Sequence, residues 1–211
     1  MLRFTAEEPV RPWHRYQQWY AFPLYGLASL SWVLRKDYVK FFQRTIGQYT
    51  PPAHPRREYW NLFGYKALYY LIFLAVPYVV LSLTWWQLAV GFLTLHLVMG
   101  LVFQLAHVVE GTAFPVPDET GDLPEAWAVH LLRTTANFAP HSRLASWLCG
   151  GLNRQIEHHL FPRVCHIHYP TLSPIVQQTA HEFGLPYLEN VSFWGALCSH
   201  YRVLYQFGRP T

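Results

Sequence analysis

From Ala67 to Val109 the chain runs for 43 residues without an Asp, Glu, Lys or Arg. At about 20 residues per crossing, that is enough apolar chain for two passes of a bilayer. A soluble protein would have to wrap the same stretch in polar surface. Only 13% of the 211 residues are charged, about half of the roughly 25% usual in soluble proteins, while aromatics reach 18%. The composition therefore favours lipid as the surrounding medium. The expected spans run from about Ala67 to Leu83 and from about Leu88 to His107, joined by a turn at Thr84-Trp85-Trp86-Gln87. Paired Trp at the turn, with Trp60, Tyr65, Tyr69 and Tyr70 at the other end, supply two aromatic belts. Pro77 is expected to kink the first span.

Positive charge sets the orientation. Arg35, Lys36, Lys40, Arg44, Arg56, Arg57 and Lys66 precede the first span and the turn carries none, so both ends of the hairpin are expected on the cytosolic side. The N-terminus is not a secretory signal, because Arg3, Glu7, Glu8, Arg11 and Arg15 come before any apolar run. Ala21 to Leu34, interrupted by Pro23 and Gly26, is too short for a span and reads as re-entrant or interfacial. No basic run exceeds two residues, which argues against nucleic acid as a partner. Cys149, Cys165 and Cys198 form no CxxC and no disulfide framework, as expected of a reducing compartment.

Beyond the hairpin, Pro115, Pro117 and Gly121 mark a loop from Gly111 to Leu123, and a helix is expected from Pro124 to about Asn137 with Trp127, Leu131 and Thr134 along one stripe. Gly150-Gly151 is expected to open a short helix closed by Pro162. Another helix should start at Ser173 as N-cap and stop before Gly184. The last runs from about Asn190 to Phe207 with Trp194, Leu197, Tyr201 and Leu204 on one side. No segment shows a period-two strand pattern.

Chemistry rests with histidine, of which there are twelve. On a helix Gln155 lies three and four residues before His158 and His159, so the three share one side. The adjacent imidazoles diverge by about 100°, an arrangement suited to two neighbouring ions rather than one. Iron, copper and zinc all accept imidazole. His107 ends the second span, with Gln104 three residues before it and Glu110 three after. His96 lies on the same stripe through Gly100 and Phe103, about 16 Å deeper at 1.5 Å per residue. It is expected either to hydrogen-bond a neighbouring helix or, with Gly100 and Phe103, to line a lipid channel.

Gln155-Ile156-Glu157-His158-His159-Leu160-Phe161-Pro162 resembles the third histidine box, QxxHH, of membrane fatty acid desaturases, especially their front-end and acyl-lipid branch. The likeness extends to Phe103–Glu110, Leu132–Phe138, Gly150–Asn153, Tyr169–Pro174 and Pro12–Gln17. It implies an all-α fold: an integral membrane helical hairpin at about 67–107, followed by cytosolic amphipathic helices at about 111–211 that carry the histidine box, within a single desaturase-type domain over 1–211. It also implies a non-haem di-iron centre using O2 to place a double bond in a fatty acyl chain, held by a membrane lipid or an acyl thioester. By position His107, His158 and His159 match metal ligands, with Gln155 and Glu110 as weak ligands or supports behind them. Gln18 stands where relatives commonly carry His.

The resemblance further implies a separate electron donor of cytochrome b5 or ferredoxin type, and residence in a bacterial inner membrane or the endoplasmic reticulum with the active face cytosolic. The family's two earlier boxes, HxxxH and HxxHH, do not occur before the hairpin. The expectation is accordingly a C-terminal portion of a desaturase, inactive alone and completed by an N-terminal half or a partner chain. A non-catalytic membrane remnant, and a sister acyl hydroxylase, are the alternatives.

Overall fold

The computed structural model describes residues 2–5, 8–45, 50, 52–118, 121–123 and 125–210. Glu7 and Pro124, both used above, lie outside them. The chain divides into two compact units, residues 23–99 and residues 1–22 with 100–211.

The first unit carries most of the apolar run. Helix α1 (Gln17–Ser31) enters it and continues through a π-turn (Trp32–Lys36) into α2 (Asp37–Phe42). Pro23 and Gly26 thus leave the helix unbroken. Gly26 is there for space: a Cβ would stand 3.3 Å from the Leu93 carbonyl. Helix α3 (Arg56–Tyr70) runs through a second π-turn (Leu71–Ala75) into α4 (Val76–Val80), so Arg56–Val80 is one 25-residue helical stretch. The π-turn stands just ahead of Pro77, where the ring removes one donor and crowds the preceding turn. Lys66, the last charge before the apolar run, is tied to Asp37 Oδ2 at 2.7 Å and to the Val33 carbonyl at 2.6 Å.

Helix α5 (Trp85–His107) follows. The expected turn is corrected here, since Trp85, Trp86 and Gln87 are already helical. Thr84 is the reason: its N–H and hydroxyl both donate to Gln87 Oε1, at 2.8 and 2.7 Å, so the Gln side chain reaches back to the N-cap as in one half of a T-x-x-Q capping box. The first span likewise begins eleven residues before Ala67 and ends at Val80. Both stretches are long and apolar enough to cross a membrane, with mean hydropathies of 1.5 and 2.0 over their apolar 18-residue windows. No residue in the apolar window of Arg56–Val80 is fully buried.

The second unit holds the rest. Helix α6 (Trp127–Thr134) is shorter than expected, because Asn137 belongs to strand β1 (Ala136–Phe138). That strand pairs in parallel with β2 (Leu188–Asn190), Asn137 opposite Glu189. Three residues cannot display a period, so the ladder had no sequence signal. Helix α7 (Arg143–Leu148) is capped by the Ser142 hydroxyl and ended by Gly150 and Gly151 at φ +57° and +81°. The glycine pair therefore closes a helix instead of opening one, and the box helix α8 (Gln155–Leu160) begins four residues later.

Helix α9 (Tyr169–Glu182) starts four residues before Ser173, with Pro170 in its first turn and Pro174 inside it; it stops before Gly184 as expected. Helix α10 (Phe193–Phe207) is capped by the Ser192 hydroxyl. Its buried stripe is Ala196, Ser199, His200, Val203 and Leu204; of the side read from the sequence, Leu204 is buried and Trp194 faces outward. One core joins Val102, Leu105 and Ala106 of α5 to Phe138, Ala139 and Ala196; a second joins Leu132, Ile156, Val176 and Ala180. Among the described residues, fold and composition agree on an all-α chain with two apolar helices of membrane-spanning length, plus one short strand pair.

Candidate metal centre

Three segments converge on one cluster of imidazoles. The last residue of α5 presents His107, whose Nδ1–H donates to the Thr134 carbonyl at the end of α6 at 3.2 Å. That bond fixes the ring and leaves Nε2 free to carry a lone pair. His159 on α8 brings its own Nε2 to 3.3 Å from His107 Nε2. Burial, reinforced by the neighbouring charges of His107 and His158, pushes His159 down to about 4, so it is neutral at pH 7. His158 turns another way. Its ring centre is 5.5 Å from that of His159, and its Nδ1 lies 3.3 Å from the Tyr169 hydroxyl. The divergence expected of adjacent helical residues is what the structure displays.

Behind the imidazoles lies a buried polar lock. Glu157, fully buried, accepts from Asn137 Nδ2 at 2.9 Å and from the Tyr187 hydroxyl at 2.7 Å. Burial, with the Glu157 charge adding to it, holds Tyr187 well above its ordinary range, so it remains a donor. Asn137 Oδ1 accepts the Ile156 N–H at 3.0 Å, satisfying a first-turn donor of α8 from another element. Arg154 donates to the Ser173 hydroxyl and to the Pro140 carbonyl. These bonds set where the box helix begins and which way it is rotated. Glu157, Asn137, Tyr187 and Tyr169 had no assigned role in the sequence. The signal that could have found Glu157 is a carboxylate inside an otherwise apolar or imidazole-bearing turn.

The other expected residues are distributed unevenly. Gln155 is buried on α8, and neither amide atom has a partner among the described residues; Gln18 Oε1 shares that condition. The Glu110 carboxylate pairs with Arg202 at 2.9 Å. His96 is buried, and its Nδ1–H donates to the Phe92 carbonyl of its own helix at 2.7 Å. Gly100 and Phe103 are half-buried on α5. A cavity of about 370 Å³ opens beside His107, lined also by Thr5, Ala113, Phe114, Pro115, His130 and Thr134. His130 Nδ1, buried there, has no partner among the described residues.

Two imidazole nitrogens 3.3 Å apart span the chord expected of ligands sharing one ion at roughly 2.0–2.1 Å. His107 and His159 fit as such a pair, and the stranded amide of Gln155 is a further oxygen donor on the same helix as His159. Among the described residues no group of three His, Cys, Asp or Glu could hold an ion. The residues present therefore fit part of a metal shell and do not complete one.

The fatty acid desaturase family model matches residues 3–190. The chain is 35% identical to an sn-1 linoleoyl-lipid 6-desaturase of Synechocystis, over 100% of this chain and 60% of that protein. It is 36% identical to an acyl-lipid (8-3)-desaturase of Physcomitrium patens, over 98% and 44%. With an sn-1 linoleoyl-lipid 6-desaturase of Arthrospira platensis it shares 33% identity, over 95% and 55%. The chain thus spans about half the length of these relatives. No solved structure matches it.

Proposed function

The chain belongs to the fatty acid desaturase family, and on that premise we propose that it supplies the third-box part of a membrane desaturase centre acting on the acyl chain of a lipid. The metal ligands it contributes are His107, His158 and His159, with Gln155 as a weak ligand or a support and the remaining ligands coming from outside these 211 residues. The observation that carries the reading is the meeting of His107 and His159, 52 residues apart, at their Nε2 atoms.

Removing two hydrogens from an unactivated CH2–CH2 unit requires an oxidant that no side chain provides, and iron with O2 supplies it when bound. Over one turnover the acyl chain gives up two hydrogens, a separate donor of cytochrome b5 or ferredoxin type gives two electrons, two protons enter, and O2 leaves as two waters. This chain's own groups orient and hold. Thr134 fixes the tautomer of His107, burial keeps His159 unprotonated, and Tyr169 engages Nδ1 of His158 so that Nε2 is the nitrogen left for another partner. The lock on Glu157 holds both box histidines in register. The active face is cytosolic, in a bacterial inner membrane or the endoplasmic reticulum.

The test is expression in a host whose lipids lack the product, read by gas chromatography of fatty acid methyl esters. The chain alone is expected to give no new double bond. Joined in frame to the upstream portion of the Synechocystis relative, it should give one, and His158→Ala or His159→Ala should each abolish it. New double bonds from the chain alone, or full turnover in either variant, overturns the assignment.

A further inference from the structure

Helix α7 has two faces that the fold treats differently. Ala145 and Cys149 pack into the core that contains Val102, Leu105 and Ala106, the last turns of α5. About 130° around the axis, Leu144, Trp147 and Leu148 form an i, i+3, i+4 stripe. These three large apolar side chains are 65%, 77% and 66% exposed. Arg143 and Ser142 flank the stripe, both exposed. Such a stripe on so short a helix contributes nothing to the core, and in water it would be a liability.

We infer that the Leu144–Trp147–Leu148 face of α7 is a membrane-interface foot, inserted among the headgroups and upper acyl chains of the same bilayer that α5 crosses. The occupant follows from continuity. The inner face of α7 is fastened to the closing turns of a helix apolar enough to span, so its outer face sits where that helix leaves the hydrocarbon. Trp beside Arg is the composition favoured at that depth, the indole carrying an apolar body and one donor, the guanidinium reaching to phosphate. The foot also fixes height. Since α7 is linked to α8 through Gly150 and Gly151, lipid contact at Trp147 holds the box helix at a set distance from the acyl chains. The inference rests on reading α5 as a membrane span.

The experiment uses the full chain with its three cysteines replaced, reconstituted in phosphatidylcholine vesicles and spin-labelled at Trp147→Cys, Val98→Cys or Gln177→Cys. Collision with O2, which concentrates in lipid, is compared with collision with a water-soluble nickel chelate. The label at 147 should favour O2 and read shallower than the label at 98, while 177 should favour nickel. A label at 147 that favours nickel while 98 favours O2 overturns the foot and leaves the span standing. If 98 also favours nickel, the span reading falls with it. A label at 147 shielded from both reagents means a protein surface covers the stripe, which overturns the inference too. With native cysteines, brominated phosphatidylcholine should quench the wild type more than Trp147→Phe; equal quenching counts against the foot.

Discussion

His200 is fully buried on α10, with Nδ1–H donating to the Val108 carbonyl at 2.6 Å and the ring set edge-on to Phe22. Burial lowers it to about 4 from an ordinary 6.5, the hydrogen bond opposing only in part. Between those values the unfolded chain carries a proton here that the folded chain does not. Stability is therefore lost as pH falls from about 6.5 towards 4, by about 1–3 kcal/mol from this residue. Thermal unfolding in detergent should show a midpoint that drops across that window, and His200→Asn, which keeps a donor but does not titrate, should flatten the slope. The lock behind the box makes a second prediction. Tyr187→Phe removes one of the donors to a buried carboxylate and should cost about 1–3 kcal/mol, read as a lowered midpoint in the same assay. The histidines themselves were legible, because a QxxHH spacing on a helix is a pattern. Their supports were not: Asn137 and Tyr187 reach Glu157 from 20 and 30 residues away, and spacing carries no record of such meetings.

Among the elements, hydropathy and periodicity revealed the two apolar helices and α6, α8, α9 and α10 but not α7 or the unbroken α1, and capping chemistry decided where helices begin. Thr84 with Gln87 started α5 three residues earlier than hydropathy suggested. Pro170 started α9 ahead of Ser173, whose side chain serves Arg154 instead of capping. Local polar groups set these boundaries, and hydropathy averages over them. The glycine pair stands where an opening to the box helix is expected; its left-handed backbone makes it an ending. At Gly151 an added Cβ would lie 2.5 Å from the His166 Cβ, whereas at Gly150 nothing stands within 4 Å. Gly151→Ala should thus lose about 2–4 kcal/mol, strain and clash together, and Gly150→Ala about 1 kcal/mol from backbone alone. Denaturant midpoints of the two variants measure the difference. Equal losses would mean that His166 gives way freely.

For the molecule as a whole, the 43-residue uncharged run was the most informative feature, and it gave two helices of spanning length. If they are held by lipid, the expressed chain should stay in the pellet when membranes are washed with alkaline carbonate; recovery in the supernatant would contradict the spans. The short parallel ladder carries a consequence in time. Residues 136–138 find their partners only at 188–190. A ribosome has to add the 30 residues from Glu157 to Tyr187 before that hydroxyl can reach the carboxylate, so a nascent polypeptide halted between them would lack one of the two side-chain donors that hold the acid behind the imidazoles. The footing of this cluster is accordingly finished only once β2 has been made, well after the two box histidines themselves have been joined to the chain.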